Sequence, residues 1–490
     1  MADLVCAGVP ISADHFIDNR RVSSGSTFEV RSPIDDSPLG FVSAGSEREV
    51  NMAVEAAQRA FPAWAALGPA GRGSKLRALA DLIERDVERL AIVETTNNGS
   101  LFESGRLRVM KRSAHNIRFF AELAEQLVGA EWDTSAAGTH NRVAYDPAGV
   151  TALITPWNAP LMLATWKVGP ALAAGNTVVL KPAEWTPLTA SMLADLALEA
   201  GVPPGVFNVV QGVGEDAGAA LVGHPGVRRI SFTGSPETAR IIGAAAARNL
   251  TPVSFELGGK SPLIVFADAD LDAALQVAVG QYDNAGQVCL AGTRLLVDAS
   301  IGRAFVEGLV TLIGQIRLGD PRDPRTQVGP LIRREHLERV QGFVTRAAAD
   351  GARLVCGGRI SPGLGGLYYE PTLFADVPAG AEILRREVFG PVLTIQSFAD
   401  EAEAIRLAND TDYGLAATLF TRDADRARRV SDALVAGTVW VNCFFVRDLA
   451  APFGGARQSG IGREGGHWSF DFYCDVKTVV QRLGTLNSTA

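Results

Sequence analysis

The spacing of apolar positions along this chain changes twice, and each change marks a different kind of element. Up to about residue 45 the apolar runs are short and broken by turn residues. They predict strands at Phe16–Ile17, Thr27–Val30 and Leu39–Val42, the last entered through the Ser32-Pro33-Ile34-Asp35-Asp36 turn. Helical spacing follows from Ser46 to Trp64, over Gly73–Glu94 and over Val109–Val128. From Val150 the pattern alternates strictly. Strand-like runs at Val150–Ile154, Thr177–Leu180, Phe207–Val210 and Arg229–Phe232 interleave with helical stretches at Leu161–Ala174, Leu188–Glu199 and Pro236–Ala247. That rhythm implies right-handed βαβ units and a parallel sheet covered on both faces, with ligands beyond the carboxyl ends of the strands. A second α/β run begins at Ser261-Pro262-Leu263-Ile264-Val265-Phe266 and continues to about residue 435. Phe472–Gln481 reads as an extended strand with a polar tail; with Arg142–Tyr145 it is suited to supply strands to a partner subunit.

Composition narrows the class. A chain of 490 residues exceeds one ordinary core, so two or three domains are expected. Hydrophobic residues make up 47% and charged residues 20%, the balance of a folded globular protein rather than a disordered one. The net charge of −8 is spread among interleaved acids and bases. No basic face invites nucleic acid, and a polyanion would be repelled. The most apolar stretch, around residues 150–180, is interrupted by Pro156, Asn158, Pro160, Lys167 and Pro170, and the opening residues lack a basic segment followed by an apolar core. A cytoplasmic protein with no membrane partner is therefore expected. The five cysteines are odd in number and far apart, and the six histidines are scattered, so neither a disulfide framework nor a metal site is expected.

Several segments carry candidate chemistry, and each also has an ordinary reading. Cys289 lies in Asn284-Ala285-Gly286-Gln287-Val288-Cys289-Leu290-Ala291-Gly292. Among small apolar neighbours a cysteine is usually an inert buried hydrophobe, but Gly286 and Gly292 allow a ligand or another backbone to come close. Glu256 ends an apolar run and opens Glu256-Leu257-Gly258-Gly259-Lys260. It is either a surface partner of Lys260 or a general base whose pKa is raised by its environment. Its two glycines would let the loop swing or pack against a substrate. Asn158, in Thr155-Pro156-Trp157-Asn158-Ala159-Pro160, is either a turn residue or an amide donor to an oxyanion, worth roughly 3 kcal/mol in the transition state. Lys181-Pro182-Ala183-Glu184 follows a strand as a solvated ion pair or a clasp for ribose hydroxyls. Phe232-Thr233-Gly234-Ser235-Pro236-Glu237 opens a helix whose N-terminus suits a pyrophosphate.

Taken in order, these segments resemble the aldehyde dehydrogenase superfamily. The likeness continues through Glu387-Val388-Phe389-Gly390-Pro391 and Pro452-Phe453-Gly454-Gly455, and it runs over nearly the whole chain. The offset of 33 positions from Glu256 to Cys289 is typical of that family. The resemblance implies an aldehyde dehydrogenase-like α/β fold. A Rossmann-like cofactor domain (1–126 and 149–257) is joined to an α/β catalytic domain (258–470) and a small β oligomerisation flap (127–148 and 471–490). It implies a homotetramer, or a homodimer, acting on a small-molecule aldehyde with NAD. Cys289 would attack the aldehyde, Asn158 and the Cys289 N–H would hold the oxyanion, and Glu256 would activate the water that hydrolyses the thioester. Lys181 and Glu184 would bind the adenosine ribose, Glu184 repelling a 2′-phosphate, while Glu387 and Phe389 would place the nicotinamide end. Trp157 and Ser235 would lie along the pyrophosphate, with Thr155, Gly212, Phe232, Gly234 and Leu257 completing the cofactor site. One departure is Ala239, where glycine is common and where the extra methyl tightens the approach to the cofactor.

The segment Trp440–Gly455, followed by Gly460–Gly466, is similar to the hydroxymuconic semialdehyde dehydrogenase branch. Members there carry a second arginine where this chain has Ala450, and clamp a carboxylate between it and an upstream arginine that Arg112 matches. Loss of one arm predicts a less acidic substrate, aromatic, alicyclic or semialdehyde, and Ala450→Arg is expected to favour carboxylated ones. Trp166, Tyr282, Phe444 and Phe445 are expected along the substrate tunnel, Cys443 as packing nearby, and Arg447 as a structural ion-pair partner. Two rivals remain: a CoA-acylating enzyme, against which Glu256 argues, and a non-catalytic binding protein on the same fold, against which Cys289 and Glu256 together argue.

Overall fold

The computed structural model describes residues 3–483. Its first sheet is built on five parallel strands: β1 (Val150–Ile154), β2 (Thr177–Lys181), β3 (Phe207–Val209), β4 (Val227–Gly234) and β5 (Val253–Leu257). Their spatial order is β5-β4-β1-β2-β3. Every residue of β1 and β2 is buried, as a strand covered on both faces requires. Around them pack α1 (Val87–Asn98), α2 (Met110–Gln126), α3 (Pro160–Ala173), α4 (Leu188–Glu199) and α5 (Pro236–Ala247). The chain runs from β1 outward through β2 to β3, then returns to pair β4 along the other edge of β1. That reversal opens a crevice at the carboxyl ends of β1 and β4.

A second parallel sheet follows: β6 (Pro262–Val265), β7 (Arg294–Asp298), β8 (Thr372–Ala375), β9 (Val392–Phe398), β10 (Ala416–Phe420) and β11 (Thr438–Val441). Its order is β8-β9-β7-β6-β10-β11, so β11 carries it past the expected end near residue 435. Only Gly258–Ser261 separates the carboxyl end of β5 from the amino end of β6. The crevice of the first sheet therefore faces the loops that enter the second.

Three sequence expectations are corrected. The helix expected over Gly73–Glu94 is two, Gly68–Arg85 and α1, broken at Asp86, whose carboxylate pairs with Arg85 and Arg89. Residues 449–470, assigned by sequence to the second unit, pack with the first. Gly460–Ile461 pairs with β5, and Leu449, Phe470 and Tyr473 lie in the first core. The last strand starts at Cys474, because Gly466–Tyr473 is a helix. Cys474–Arg482 pairs along its whole length with Thr139–Pro147, which also pairs with Glu131–Thr134. The strands expected to serve a partner thus first pair with each other, and the part of the 471–490 segment beyond residue 483 lies outside the described residues. Among the described residues no helix is long and apolar enough to cross a membrane, and no cluster of three metal-ligating side chains occurs.

Candidate active site

β1 ends at Ile154, and Thr155–Ala159 turns the chain into α3, whose first residue is Pro160. A proline there is pre-set for a helix and lacks the N–H that would go unpaired. The next N–H, of Leu161, donates to the Glu94 carboxylate of α1 at 3.0 Å, and Thr189 Oγ1 of α4 donates to the same oxygen at 3.1 Å. Burial pushes the Glu94 carboxyl up to about 7. Asn158 stands in this turn. Its Nδ2 donates to the Gln287 carbonyl at 2.9 Å, and Asn284 Nδ2 donates back to the Asn158 carbonyl at 3.1 Å.

Gln287 is two residues before Cys289, so these bonds join the amide turn to the cysteine loop. The loop is contorted: Asn284 and Ala285 take left-handed φ of 50° and 54°, and Gly286 follows at 69°. A Cβ on Gly286 would stand 2.2 Å from the Gly390 carbonyl oxygen, so this glycine admits another backbone rather than a ligand. Burial pushes the Cys289 thiol up to about 12, reinforced by the Glu387 and Glu256 carboxylates and opposed by Arg447. The resting thiol is protonated and needs a base to become a nucleophile.

Glu256 sits at the end of β5, is 5% exposed, and neither carboxylate oxygen has a hydrogen-bond partner. Burial drives its pKa well above the usual carboxylate range. Glu464 adds to the rise, while Lys167, Arg447 and Arg463 partly offset it. That is an environment that favours the protonated carboxyl and strengthens Glu256 as a base once it is ionised. Lys260, its alternative surface partner by sequence, is itself buried and feels Arg294 and Glu387 instead. Sequence reasoning missed Glu464 and Lys167. Glu464 Oε1 accepts from Lys167 Nζ at 2.7 Å and Ser231 Oγ at 3.0 Å, while Oε2 has no partner. A lysine inside the apolar helix α3 was the available signal, since burial of an ammonium demands a partner.

Arg447 overturns its expected role. Among the described residues no carboxylate lies within ion-pair distance of it, and Glu256 and Glu464 act on it only through space. Its guanidinium lies 3.8 Å from the Phe453 ring centroid and 4.9 Å from that of Trp166, and its Nη2 is buried without an acceptor. Burial and the nearby Arg112 pull its pKa down to about 10, against the Glu256 and Cys289 charges. Arg112 donates Nε to Asn116 at 3.0 Å. Arg447 thus acts on the thiol, with Arg112 close to Arg447 and Asp448 the carboxylate that Arg112 feels. Trp166 is buried under Arg447, with an indole N–H that has no acceptor. Phe444 packs on Trp440 at 5.3 Å beside Cys289 and Cys443, while Phe445 is 40% exposed. Ala450 is exposed and its N–H is held by Asp448. Tyr282 is not a tunnel residue. It lies in the core of the second unit, its hydroxyl donating to the Thr372 carbonyl at 2.9 Å, because a buried phenol must find an acceptor.

The segments expected to hold a dinucleotide line the crevice. Lys181 Nζ and Glu184 Oε2 are 3.1 Å apart at the end of β2. Ser235 is exposed and caps α5, accepting from the Thr238 N–H at 3.2 Å. Thr155, Phe232 and Leu257 are buried at strand ends, and Gly212 (φ 143°) packs against Gly45 and Ala217. Gly234 lies at the end of β4 and Ala239 is buried in the core. Glu387 Oε1 accepts from the Gly259 N–H at 3.1 Å, and burial pushes its carboxyl up to about 7. A Cβ on Gly258 would stand 2.0 Å from Glu387 Oε2, and one on Gly259 2.9 Å from the Cys289 carbonyl. These glycines serve close packing, not a swinging loop. Phe389 takes a left-handed φ of 58° and meets Trp157 edge-on at 5.3 Å. His336 Nε2 lies 2.7 Å from its carbonyl, and Arg339 donates to the Glu387 carbonyl at 2.7 Å.

A half-buried thiol, a side-chain amide and an unpaired carboxylate stand at the carboxyl ends of β1 and β5 and in the loop before β7 of a doubly wound α/β fold. The chain belongs to the aldehyde dehydrogenase family, whose sequence profile matches residues 21–479. It is 43% identical to a 2-aminomuconic semialdehyde dehydrogenase of Danio rerio over 93% of both chains. It is 42% identical to a betaine aldehyde dehydrogenase of Cereibacter sphaeroides over 97% of this chain and 99% of that one. The crystal structure of betaine aldehyde dehydrogenase from Staphylococcus aureus in complex with NAD+ superposes with a TM-score of 0.94 at 38% identity, covering 98% and 97% of the two chains.

Proposed function

We propose that this protein oxidises a semialdehyde, an aldehyde bearing a carboxylate, to the corresponding diacid with NAD, through a thioester on Cys289. The observation that carries the substrate class is Arg447, a buried guanidinium without a carboxylate partner, with Arg112 beside it. Two cations held at this desolvation cost suit an anionic substrate, and a planar carboxylate answers the unpaired Nη2. Ala450 is exposed, so the loss of an arginine there leaves this cationic pair intact. The relatives span aminomuconic semialdehyde and betaine aldehyde at nearly equal identity, so kinship alone does not choose the substrate.

The residues present fit NAD. The Lys181–Glu184 pair suits ribose hydroxyls, and Glu184 disfavours a 2′-phosphate. The N-terminus of α5 suits the pyrophosphate, and the buried Glu387 carboxylate retains one oxygen free of hydrogen bonds for a further hydroxyl. When bound, NAD supplies the two-electron acceptor for the substrate carbon. Cys289 Sγ attacks the aldehyde carbon after its proton passes to Glu256. Asn158 Nδ2 exchanges the Gln287 carbonyl for the new oxyanion, and after oxidation the C=O re-forms as a thioester. Glu256 releases that proton to solvent and then takes one from water; the hydroxide adds to the acyl carbon, and as the C–S bond breaks the proton on Glu256 passes to the leaving sulfur, giving acid and thiol. The partner-free Glu256 carboxylate favours hydrolysis over transfer to CoA. The test compares an ω-carboxyaldehyde with its neutral alkyl counterpart, following reduced cofactor. A kcat/KM about 10- to 100-fold higher for the carboxylated member is expected, the worth of a charge-assisted contact. Equal values would remove the carboxylate from the proposal.

The three-stranded flap supports assembly as a homotetramer, with a homodimer the alternative. Trp132, Val476 and Val480 are exposed on it. Light scattering of Val476→Lys/Val480→Lys should show a smaller assembly than the parent chain.

A further inference from the structure

We propose that Asn284 is a positioning residue for the oxidation, holding the Asn158 amide in register with the Cys289 thiol. The inference rests on the roles assigned above to Asn158 and Cys289. Asn158 is fixed from three directions. On the far side of its turn, Glu94 holds the Leu161 N–H at 3.0 Å. Its own side chain reaches the Gln287 carbonyl at 2.9 Å, a bond it gives up when an oxyanion forms. The third contact is the Asn284 amide, which donates to the Asn158 backbone carbonyl at 3.1 Å and so uses no atom the reaction needs. While the Asn158 amide changes partners, this is the side-chain bond that keeps its backbone tied to the cysteine loop.

The local backbone agrees with that duty. Asn284 has a left-handed φ of 50°, and so has its neighbour Ala285 at 54°. A non-glycine pair in that region is strained and persists where surroundings enforce it. The enforcing contacts are present. The Asn284 N–H donates to Asp283 Oδ1 at 2.9 Å, and its carbonyl accepts from the Gln287 N–H at 3.1 Å and from Gln287 Nε2 at 2.9 Å. Gln287 Oε1 in turn accepts from the Ile332 N–H at 2.9 Å, so the loop is anchored to the second unit. The Asn284 side chain carries that anchoring across to the first unit. Glycine is the residue that adopts this backbone most easily, so an asparagine here points to the amide as what is needed.

The test is a double-mutant cycle on the single-turnover rate of cofactor reduction, with Asn284→Gly, Asn158→Ala and the double variant. Glycine removes the amide while relieving the backbone, so the fold should hold or gain stability. Asn284→Gly should slow reduction about 10- to 100-fold with KM for NAD unchanged, the scale of an ångström-sized misplacement. In the Asn158→Ala background the same change should cost less than about twofold, because Asn284 acts through Asn158. A purely structural role would give equal losses in both backgrounds, and that additivity would overturn the proposal. So would an Asn284→Gly rate within twofold of the parent. If the glycine variant does not fold, Asn284→Asp, which tolerates the same backbone but cannot donate, is judged by the same criteria. Should Asn158→Ala itself leave the rate unchanged, the failure lies with the oxyanion assignment and not with Asn284.

Discussion

Lys167 Nζ and Glu464 Oε1 meet at 2.7 Å in the interior, and both act on the Glu256 carboxyl, the lysine lowering its pKa and the glutamate raising it. Hydrolysis of the thioester needs ionised Glu256, so its rate should rise with pH through the elevated pKa. Glu464→Gln removes a negative neighbour, lowers that pKa and moves the midpoint to lower pH. Lys167→Met moves it the other way and also leaves a buried carboxylate unpaired, at a cost of about 3–5 kcal/mol in stability. Thioester hydrolysis measured against pH checks both signs; an alkaline shift in Glu464→Gln would refute the field argument.

Removing the base itself separates the two half-reactions. Glu256→Gln should give one burst of reduced cofactor per site, followed by turnover slowed about 100- to 10,000-fold. Rapid-mixing absorbance reads both phases, and an unchanged steady state would take the role away from Glu256.

Arg447→Met keeps an apolar stem over Trp166 and Phe453 but deletes the charge. It should lower kcat/KM for the carboxylated aldehyde about 10- to 100-fold and leave the neutral counterpart within a few-fold. Ala450→Arg is expected to add to the preference for carboxylated aldehydes. If relative rates do not move, position 450 does not face the substrate.

Gly258 has no room for a side chain, since a Cβ there would stand 2.0 Å from Glu387 Oε2. Gly258→Ala must push Glu387 aside. Loss of one charge-assisted bond to the cofactor should raise KM for NAD about 10-fold, with KM for aldehyde little altered. Initial rates at varied NAD decide it.

Two buried imidazoles should set acid stability. Burial lowers His15 and His336 from the ordinary 6.5 to about 4, Glu49 and Asp14 partly opposing at His15, Arg339 and Arg333 adding at His336. Between those values the unfolded chain binds protons that the fold refuses. Their contribution is therefore complete above 6.5 and lost as pH falls toward 4, by up to about 3 kcal/mol each. Urea unfolding across that range checks the slope, and His15→Phe should flatten it.

Much of this architecture was legible in the chain. The run Val150–Ile154 and the helices Leu188–Glu199 and Pro236–Ala247 match their sequence-read limits, because burial on both faces or a clear cap leaves a local pattern. The break at Asp86 was not legible, since the helical spacing continues through it and no glycine or proline marks it. Tyr282 and Arg447 depart from their sequence expectations for a related reason. An aromatic and an arginine near a motif look alike in sequence whether they face a cavity or a core. Their hydrogen-bond partners, Thr372 for one and none for the other, come from distant strands or from nowhere.

The order of the segments around residues 158, 256 and 289 was enough to establish the family, because the spacing of strand ends constrains what chemistry they can present. What folding alone decided is the electrostatics of the site. Glu256 has no hydrogen-bond partner, Glu464 and Lys167 act on it, and Arg447 feels its charge without pairing to it, all between residues far apart in the chain. A pKa or an unpaired guanidinium depends on which groups share a desolvated space, and no one-dimensional pattern records that.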